Sequence, residues 1–325
     1  MRFFRTLVTS LPRRAPPARR GHPIHRAITI TMPSVAATTT ATSIAAQIAD
    51  NPVKIAHKCL HLPGRTMSSD VNGCGHCPVV PIISDPDRRR IQVLQDTAFS
   101  FFTETLHRYG VEELIFCFNG GKDCTVLLDL LMSYLRQECI SSQEIPMLYI
   151  KSGDSFPEID DFVASCIRNY RVRLVEYDGS LKEALTHMQE DMPKIKAVFV
   201  GSRNTDPYCQ NLAPMQPTDS DWPPMMRLNP LLEWTYHDVW HYIHINSVPY
   251  CSLYDRGYTS IGNRSNTVPN PHLRRTTAAD SCGCSGVCNS IPATTSQPST
   301  TTGSYRPAWE LADPKQERAG RLPRK

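Results

Sequence analysis

Long apolar runs are missing from this 325-residue sequence. No stretch of about 18 consecutive apolar residues occurs, so the pattern offers no membrane-spanning helix and no membrane partner is expected. Acidic residues are missing from residues 1–49, which hold seven arginines. The net charge of +4 therefore belongs to that tail, and residues 50–325 carry −3. A mildly acidic body lacks the basic face of a general nucleic-acid surface, so no nucleic-acid partner is expected either. The Walker A pattern GxxxxGK[ST] is also absent, which excludes that mode of gripping phosphates. The 12 cysteines form no regular framework, which fits a reducing compartment; Cys117 and Cys124 read as packing residues. An apolar content of 40% is enough for a sizeable core, in one large domain or two small ones.

What is present centres on residues 111–136, VEELIFCFNGGKDCTVLLDLLMSYLR. Leu114–Phe118 is a short apolar run and reads as a buried parallel strand. Residues 124–136 carry Val126, Leu127, Leu130, Leu131 and Leu135 at helical spacing. Between them lies Asn119-Gly120-Gly121-Lys122-Asp123. A strand, a glycine turn and a helix aim backbone N–H groups and the positive end of a helix dipole at one spot. Adjacent glycines let the backbone approach an anion without an intervening Cβ. Asn119 and Asp123 can cap the helix or hold an ion, and Lys122 is placed to meet a phosphate.

Taken in order, residues 1–49 have the Arg-rich, Ser/Thr-rich, acid-free composition of a mitochondrial presequence or of a disordered basic tail. Residues 50–85 are a poorly patterned lead-in containing Cys74 and Cys77. That CxxC is half of a zinc site, with Cys282, Cys284 and Cys288 as its conceivable other half; two unrelated cysteine loops are the favoured reading. Residues 86–108 read as an amphipathic helix with Ile91, Val93, Leu94, Phe99, Phe102 and Leu106 on its apolar side. Strands are expected at 147–150, 172–177 and 198–200, with a loop and a helix over 152–170 and a further helix over 180–192. Strands alternating with helices predict an α/β fold, a three-layer and mostly parallel sheet with helices on both faces. Ligands on such sheets sit at the carboxyl ends of strands, where the glycine turn lies.

A second block follows the fourth strand. Gly201-Ser-Arg203-Asn-Thr-Asp206-Pro207 places a base and an acid three residues apart at that same sheet edge. Next come Asp221-Trp222-Pro223 and Arg227-Leu-Asn229-Pro230-Leu-Leu-Glu-Trp234, then a helix at 236–245 whose Val239, Trp240 and Ile243 face inward. Leu253-Tyr254-Asp255-Arg-Gly257-Tyr258-Thr-Ser260-Ile261-Gly262 closes the block. Residues 273–303 include a Thr/Ser/Pro-rich, low-complexity insertion. Residues 304–325 carry Tyr305-Arg-Pro-Ala-Trp309 and Glu317-Arg318-Ala-Gly-Arg321.

Together these motifs resemble the FAD synthase (FMN adenylyltransferase) branch of the phosphosulfate-reductase-like ATP pyrophosphatases. N-G-G-K-D-C stands where that superfamily's pyrophosphate loop has SGGxDS, with Asn119 and Cys124 replacing its two serines. R-x-N-P-L-x-x-W, D-V-W-x-Y-I, L-Y-x-x-G-Y and S-I-G follow in the family's order, and the likeness covers residues 90–275 and resumes at 305. The resemblance implies a PP-loop, Rossmann-like domain over 86–272 with a C-terminal segment that returns to the nucleotide site. It implies Mg2+-dependent transfer of AMP from ATP to FMN. For ATP and its pyrophosphate it points to Asn119, Gly120, Gly121, Lys122, Asp123, Ile150 and Arg203. For the flavin it points to Asp206, Trp222 and Arg227. For catalysis it points to Asp123, Asp206, Arg318 and Arg321, with Asp123 the partner of Mg2+, directly or through water. A monomer or weak oligomer in the cytoplasm is expected, with mitochondrial import as the alternative. A phosphosulfate reductase is disfavoured because no E-C-G-x-H sequence surrounds Cys282–Cys288, and a tRNA-thiolating enzyme because only one CxxC occurs.

Overall fold

The computed structural model describes residues 81–275 and 305–323. Cys74, Cys77, Cys282, Cys284, Cys288, the basic tail and the low-complexity insertion lie outside the described residues.

Helix α1 (Asp85–Arg108) starts one residue earlier than the sequence pattern suggests, because Ser84 caps it and accepts from the Asp87 N–H at 3.3 Å. Its inward stripe is Ile91, Leu94, Ala98, Phe102 and Thr105. Val93 lies off that stripe and is 63% exposed, contrary to its expected place on the apolar side. Strand β1 (Leu114–Phe118), helix α2 (Lys122–Gln137), strand β2 (Met147–Lys151), helix α3 (Pro157–Tyr170), strand β3 (Leu174–Asp178), helix α4 (Leu181–Asp191) and strand β4 (Ala197–Phe199) follow. Strands β5 (Met215–Pro217) and β6 (Met226–Leu228) were not expected; three residues are too few to show a period. Helix α5 (Tyr236–Ile245) falls where its spacing puts it.

The sheet order is β3-β2-β1-β4-β6-β5, parallel except for β5, which runs antiparallel to β6 at the edge. Alternation along the strands divides the apolar residues between two faces. Leu114, Phe116, Phe118, Met147, Tyr149, Ala197 and Phe199 join a large core with α1, α2, α3 and α5. Ile115, Leu148 and Val198 face the other way, onto Leu185 and Met188 of α4 and onto Trp222 and Met225. The lopsided layering follows from handedness. The chain steps outward from β1 to β2 to β3 through α2 and α3, and then α4 must carry it back past β1 to β4. Right-handed crossovers in opposite directions leave helices on opposite faces. The order therefore reverses between β1 and β4, which are direct neighbours. A reversal of this kind opens a crevice at the carboxyl ends of the two strands.

Two further features fix what surrounds that crevice. Thr235 and Asp238 form a capping box at the start of α5, and Arg90 of α1 binds Asp238 at 2.7 Å. Burial pushes the Asp238 carboxyl up, but Arg90 and Thr235 more than offset it and hold it below the usual carboxylate range. Asp238→Asn should therefore cost about 1–2 kcal/mol at neutral pH. Because the folded-state value is depressed, that difference should be complete above the ordinary carboxylate range and vanish as pH falls through the lower folded value. Urea unfolding of both proteins across acidic pH checks this; a pH-independent gap would refute it.

The C-terminal strap (305–323) packs against the same region. Arg274 bridges Tyr305, Thr267 bridges Arg321, and the Tyr236 hydroxyl donates to the Ala308 carbonyl at 2.6 Å. Ala308, Trp309 and Leu311 enter the main core beside Leu273. The strap therefore contributes core as well as polar groups. Among the described residues, no helix is long and apolar enough to cross a membrane.

Candidate active site

The turn after β1 owes its shape to its glycines. Gly120 has φ +71°, and a Cβ there would lie 3.0 Å from the Ile159 Cγ2, so both backbone and space demand glycine. The Asn119 Oδ1 accepts from the Gly121 N–H at 2.9 Å, so this side chain shapes the turn. Gly121 supplies no side-chain cap to α2, which leaves the helix start suited to an anion. The Lys122 N–H is already engaged, donating to the Tyr254 hydroxyl at 2.8 Å. Gly201, just past β4, packs on the first turn of α2; a Cβ there would lie 3.1 Å from the Cys124 backbone nitrogen. The reversal of strand order thus brings the two motif blocks into contact.

Five charged side chains meet at that junction. Arg203 is fully buried and bridges three carboxylates: Asp123 Oδ1 at 2.9 Å, Asp206 Oδ1 at 3.0 Å and Glu317 Oε2 at 2.8 Å. Its contact with Asp123 is one of charge, without hydrogen-bond alignment. The Lys122 ammonium binds Glu317 and, at 3.1 Å, Asp123 Oδ2, and lies 5.2 Å from the centre of the Tyr236 ring. The two cations are underneath and the acids above them. Lys122 and Arg203 are 2% and 0% exposed, whereas the side chains of Asp123, Asp206 and Glu317 are 21%, 27% and 14% exposed. Lys122, which the local sequence presents as a phosphate contact, is buried here and paired with carboxylates.

Burial shapes the protonation of each partner. It pushes Asp123 up, but Arg203 and Lys122 outweigh it and hold this carboxyl below its ordinary value. Asp206 is raised, first by burial and then by the negative charge of Asp123. Burial alone would lower Arg203, yet its three carboxylates leave it raised. The Cys124 thiol is pushed well up by burial and Cys117 to about 11, so both are inert packing groups, as expected.

The structure therefore gathers Asn119, Gly120, Gly121, Lys122, Asp123, Arg203 and Asp206 at one sheet edge. Arg318 and Arg321 follow Glu317 on the strap: Arg318 is exposed, with Nη1 3.5 Å from the Ser260 Oγ, and the Arg321 guanidinium rests on Gly262. Ile150 lies half-buried at the carboxyl end of β2. Trp222 and Arg227 are both buried. Trp222 is 9% exposed and packs in the second-face core, where the Lys182 ammonium approaches its ring at 5.8 Å. Arg227 is 2% exposed, opposite Val198 in β6, and burial lowers its pKa. Trp234 and Trp240 are core residues, as expected.

Spacing alone missed Glu317, Tyr236, Tyr254, Thr259 and Asn270. The Thr259 hydroxyl donates to the Glu317 carbonyl at 2.6 Å, and the Asn270 Nδ2 donates to Thr259 Oγ1 and the Gln316 carbonyl, each at 2.8 Å. Tyr254 and Thr259 sit inside the Leu253–Gly262 block and Glu317 begins the Glu317–Arg321 run, so for these three the signal was present but attached to their neighbours.

A mostly parallel sheet whose strand-order reversal carries a glycine turn and a helix start has the architecture of the PP-loop, phosphosulfate-reductase-like class. The family model for the phosphoadenosine phosphosulfate reductase domain matches residues 113–269. A probable FAD synthase of Schizosaccharomyces pombe is 34% identical over 226 residues, covering 68% of this chain and 76% of its own length. A probable FAD synthase of Caenorhabditis elegans is 43% identical over 185 residues; that match takes in 57% of this chain but only 36% of the nematode protein. The crystal structure of Candida glabrata FMN adenylyltransferase in complex with ATP superposes with a TM-score of 0.63 at 31% identity, covering 76% of this chain and 92% of that one. The chain belongs to the FAD synthase (FMN adenylyltransferase) family.

Proposed function

We propose that this chain transfers the AMP moiety of ATP to the 5′-phosphate of FMN, giving FAD and pyrophosphate. The observation that carries this reading is the convergence of the Asn119–Asp123 turn, Arg203, Asp206 and the Glu317–Arg321 strap at one sheet edge. Family membership and the match to an FMN adenylyltransferase that binds ATP support it.

An FMN phosphate oxygen attacks the α-phosphorus of ATP, the bond from that phosphorus to the bridging oxygen breaks, and pyrophosphate leaves. The attacking phosphate is already ionised at neutral pH, so no general base is needed and no covalent enzyme intermediate forms. Positioning and charge neutralisation supply the catalysis. Gly120 and Gly121 give the backbone close access to the leaving β,γ-phosphates. Arg318 and Arg321 neutralise phosphate charge from the strap side. The adenine packs against Ile150, and Asp206, Trp222 and Arg227 form the flavin side of the site.

Among the described residues, no group of three or more His, Cys, Asp or Glu side chains is arranged to hold a metal alone. The partly exposed edges of Asp123 and Asp206 instead suit Mg2+ arriving on the nucleotide, since that ion keeps phosphate oxygens, water and one or two carboxylates. Asp123 would hold it, and it would neutralise charge on the triphosphate.

The test is a flavin assay on the purified chain with ATP, FMN and Mg2+. Flavin fluorescence should fall as FAD forms, with pyrophosphate released alongside. A chain that makes no FAD but reduces phosphosulfate with thioredoxin overturns the reading.

A further inference from the structure

Glu317 reaches the charged cluster from 195 positions beyond Lys122 and is the single residue of the strap that touches both buried cations. Its two oxygens accept from Arg203 Nη2 at 2.9 and 2.8 Å, and one also receives the Lys122 ammonium. We propose that Glu317 is a positioning residue for adenylyl transfer: its carboxylate clamps Lys122 and Arg203 so that Asp123 and Asp206 stay presented to the crevice. This deepens the reading of the chain as an FMN adenylyltransferase and rests on it.

Two observations separate a clamp from a simple docking contact. First, the strap is held without this side chain. Its backbone is fixed by Thr259 to the Glu317 carbonyl, by Asn270 to the Gln316 carbonyl, and by Val268 N–H to the Gly320 carbonyl at 2.9 Å. Leu322 N–H donates to the Asn266 carbonyl at 2.9 Å, and Trp309 and Leu311 anchor the preceding turns in the core. Gly320 also lies against the Val268 carbonyl so closely that a Cβ would not fit. Second, the carboxylate enters where it is needed electrostatically. Without it, Lys122 would keep Asp123 as its only ion-pair partner among the described residues, and Arg203 Nη2 would keep Asp206 alone. Buried cations that lose a partner turn toward those that remain. Here that motion draws Asp123 and Asp206 down toward the cations and away from the crevice. A displacement of about 1 Å at a positioned group costs on the order of a hundredfold in rate.

The experiment uses the full chain with Glu317→Gln, which keeps the size and loses the charge, and Glu317→Asp, which keeps the charge and shortens the reach. Glu317→Gln should lower kcat for FAD formation by roughly a hundredfold, with KM for ATP and FMN close to wild type, and should lower thermal stability without unfolding the chain at the assay temperature. Glu317→Asp should recover part of the loss. Independently of turnover, Lys122 should resist acetylation by acetic anhydride in the wild type and become labelled in Glu317→Gln, as read by peptide mass spectrometry. An unchanged kcat, or a loss that falls wholly in KM, overturns the clamp. If Glu317→Gln fails to fold, Glu317→Asp decides: a reduced kcat at unchanged KM supports the clamp and a wild-type kcat sinks it. A wild-type chain that makes no FAD defeats the functional reading instead; the labelling then judges the clamp alone, with protection of Lys122 in the Gln variant counting against it.

Discussion

Arg203→Met should cost this protein about 3–5 kcal/mol of folding stability and abolish nucleotide chemistry with it. Methionine fills much of the same volume, so the loss would not come from a cavity. It would come from charge. Asp123, Asp206 and Glu317 all point at one guanidinium that is fully buried; without it Asp123 and Glu317 are left to share Lys122, and Asp206 loses its ion pair with Arg203. Partial exposure of those acids lets water relieve some of the repulsion, which keeps the effect near the lower end of the range. Arg203→Lys separates charge from geometry. An ammonium restores the sign but cannot fork toward three carboxylates at once, so stability should return in part while turnover stays low. Urea unfolding of the two variants measures the first effect and flavin fluorescence the second. A methionine variant as stable as wild type would show that the cluster is solvated and that its ion pairs are decorative.

The difference between what the sequence shows and what it hides is visible within that cluster. Strand β1 could be read directly as a short apolar run, and helices α2 and α5 because each has enough residues to display its period and a glycine or a Thr–Asp cap at its start. The parallel alternation gave the fold class, and the strand reversal between β1 and β4 explains why two distant motif blocks meet. Strands β5 and β6 escaped notice because they owe their existence to pairing with each other and with β4, not to any pattern in three residues. The surroundings of Lys122 were hidden for a related reason. Beside two glycines a lysine looks like an exposed phosphate ligand, yet Tyr254 lies 132 positions away and Glu317 195 positions away, and with Tyr236 they surround it. Arg203 and Asp206, three residues apart, were legible as a pair, but their third partner was not. Trp222 has a second role that its neighbours Asp221 and Pro223 do not announce: it packs in the core on the second face of the sheet with Ile115 and Val198.

Asp206→Ala and Arg321→Ala should each damage turnover far more than folding. Asp206 holds the turn after β4 through the Arg203 N–H at 2.9 Å and binds the same residue's guanidinium at 3.0 Å. Removing it costs those bonds, about 1–3 kcal/mol, but Arg203 keeps Asp123 and Glu317, so the cluster remains paired. Arg321 is tied into the fold by its backbone, through the bridge to Thr267 and through its N–H to the Arg318 carbonyl at 2.9 Å. Its guanidinium rests on Gly262, where no Cβ competes for the space, and truncation there should change stability by about 0.5 kcal/mol or less. If these groups face the developing charge of the transfer, losing either should lower kcat by roughly a hundred- to a thousandfold. Arg321→Lys is the sharper variant, because a lysine keeps the positive charge yet cannot grip a phosphate with two parallel N–H groups; it should remain well below wild type. Lys315→Ala, on the exposed side of the same strap, should be neutral in both measurements. Wild-type kinetics in both alanine variants would remove Asp206 and Arg321 from the reacting centre and leave the strap as a structural cover for the core beneath it.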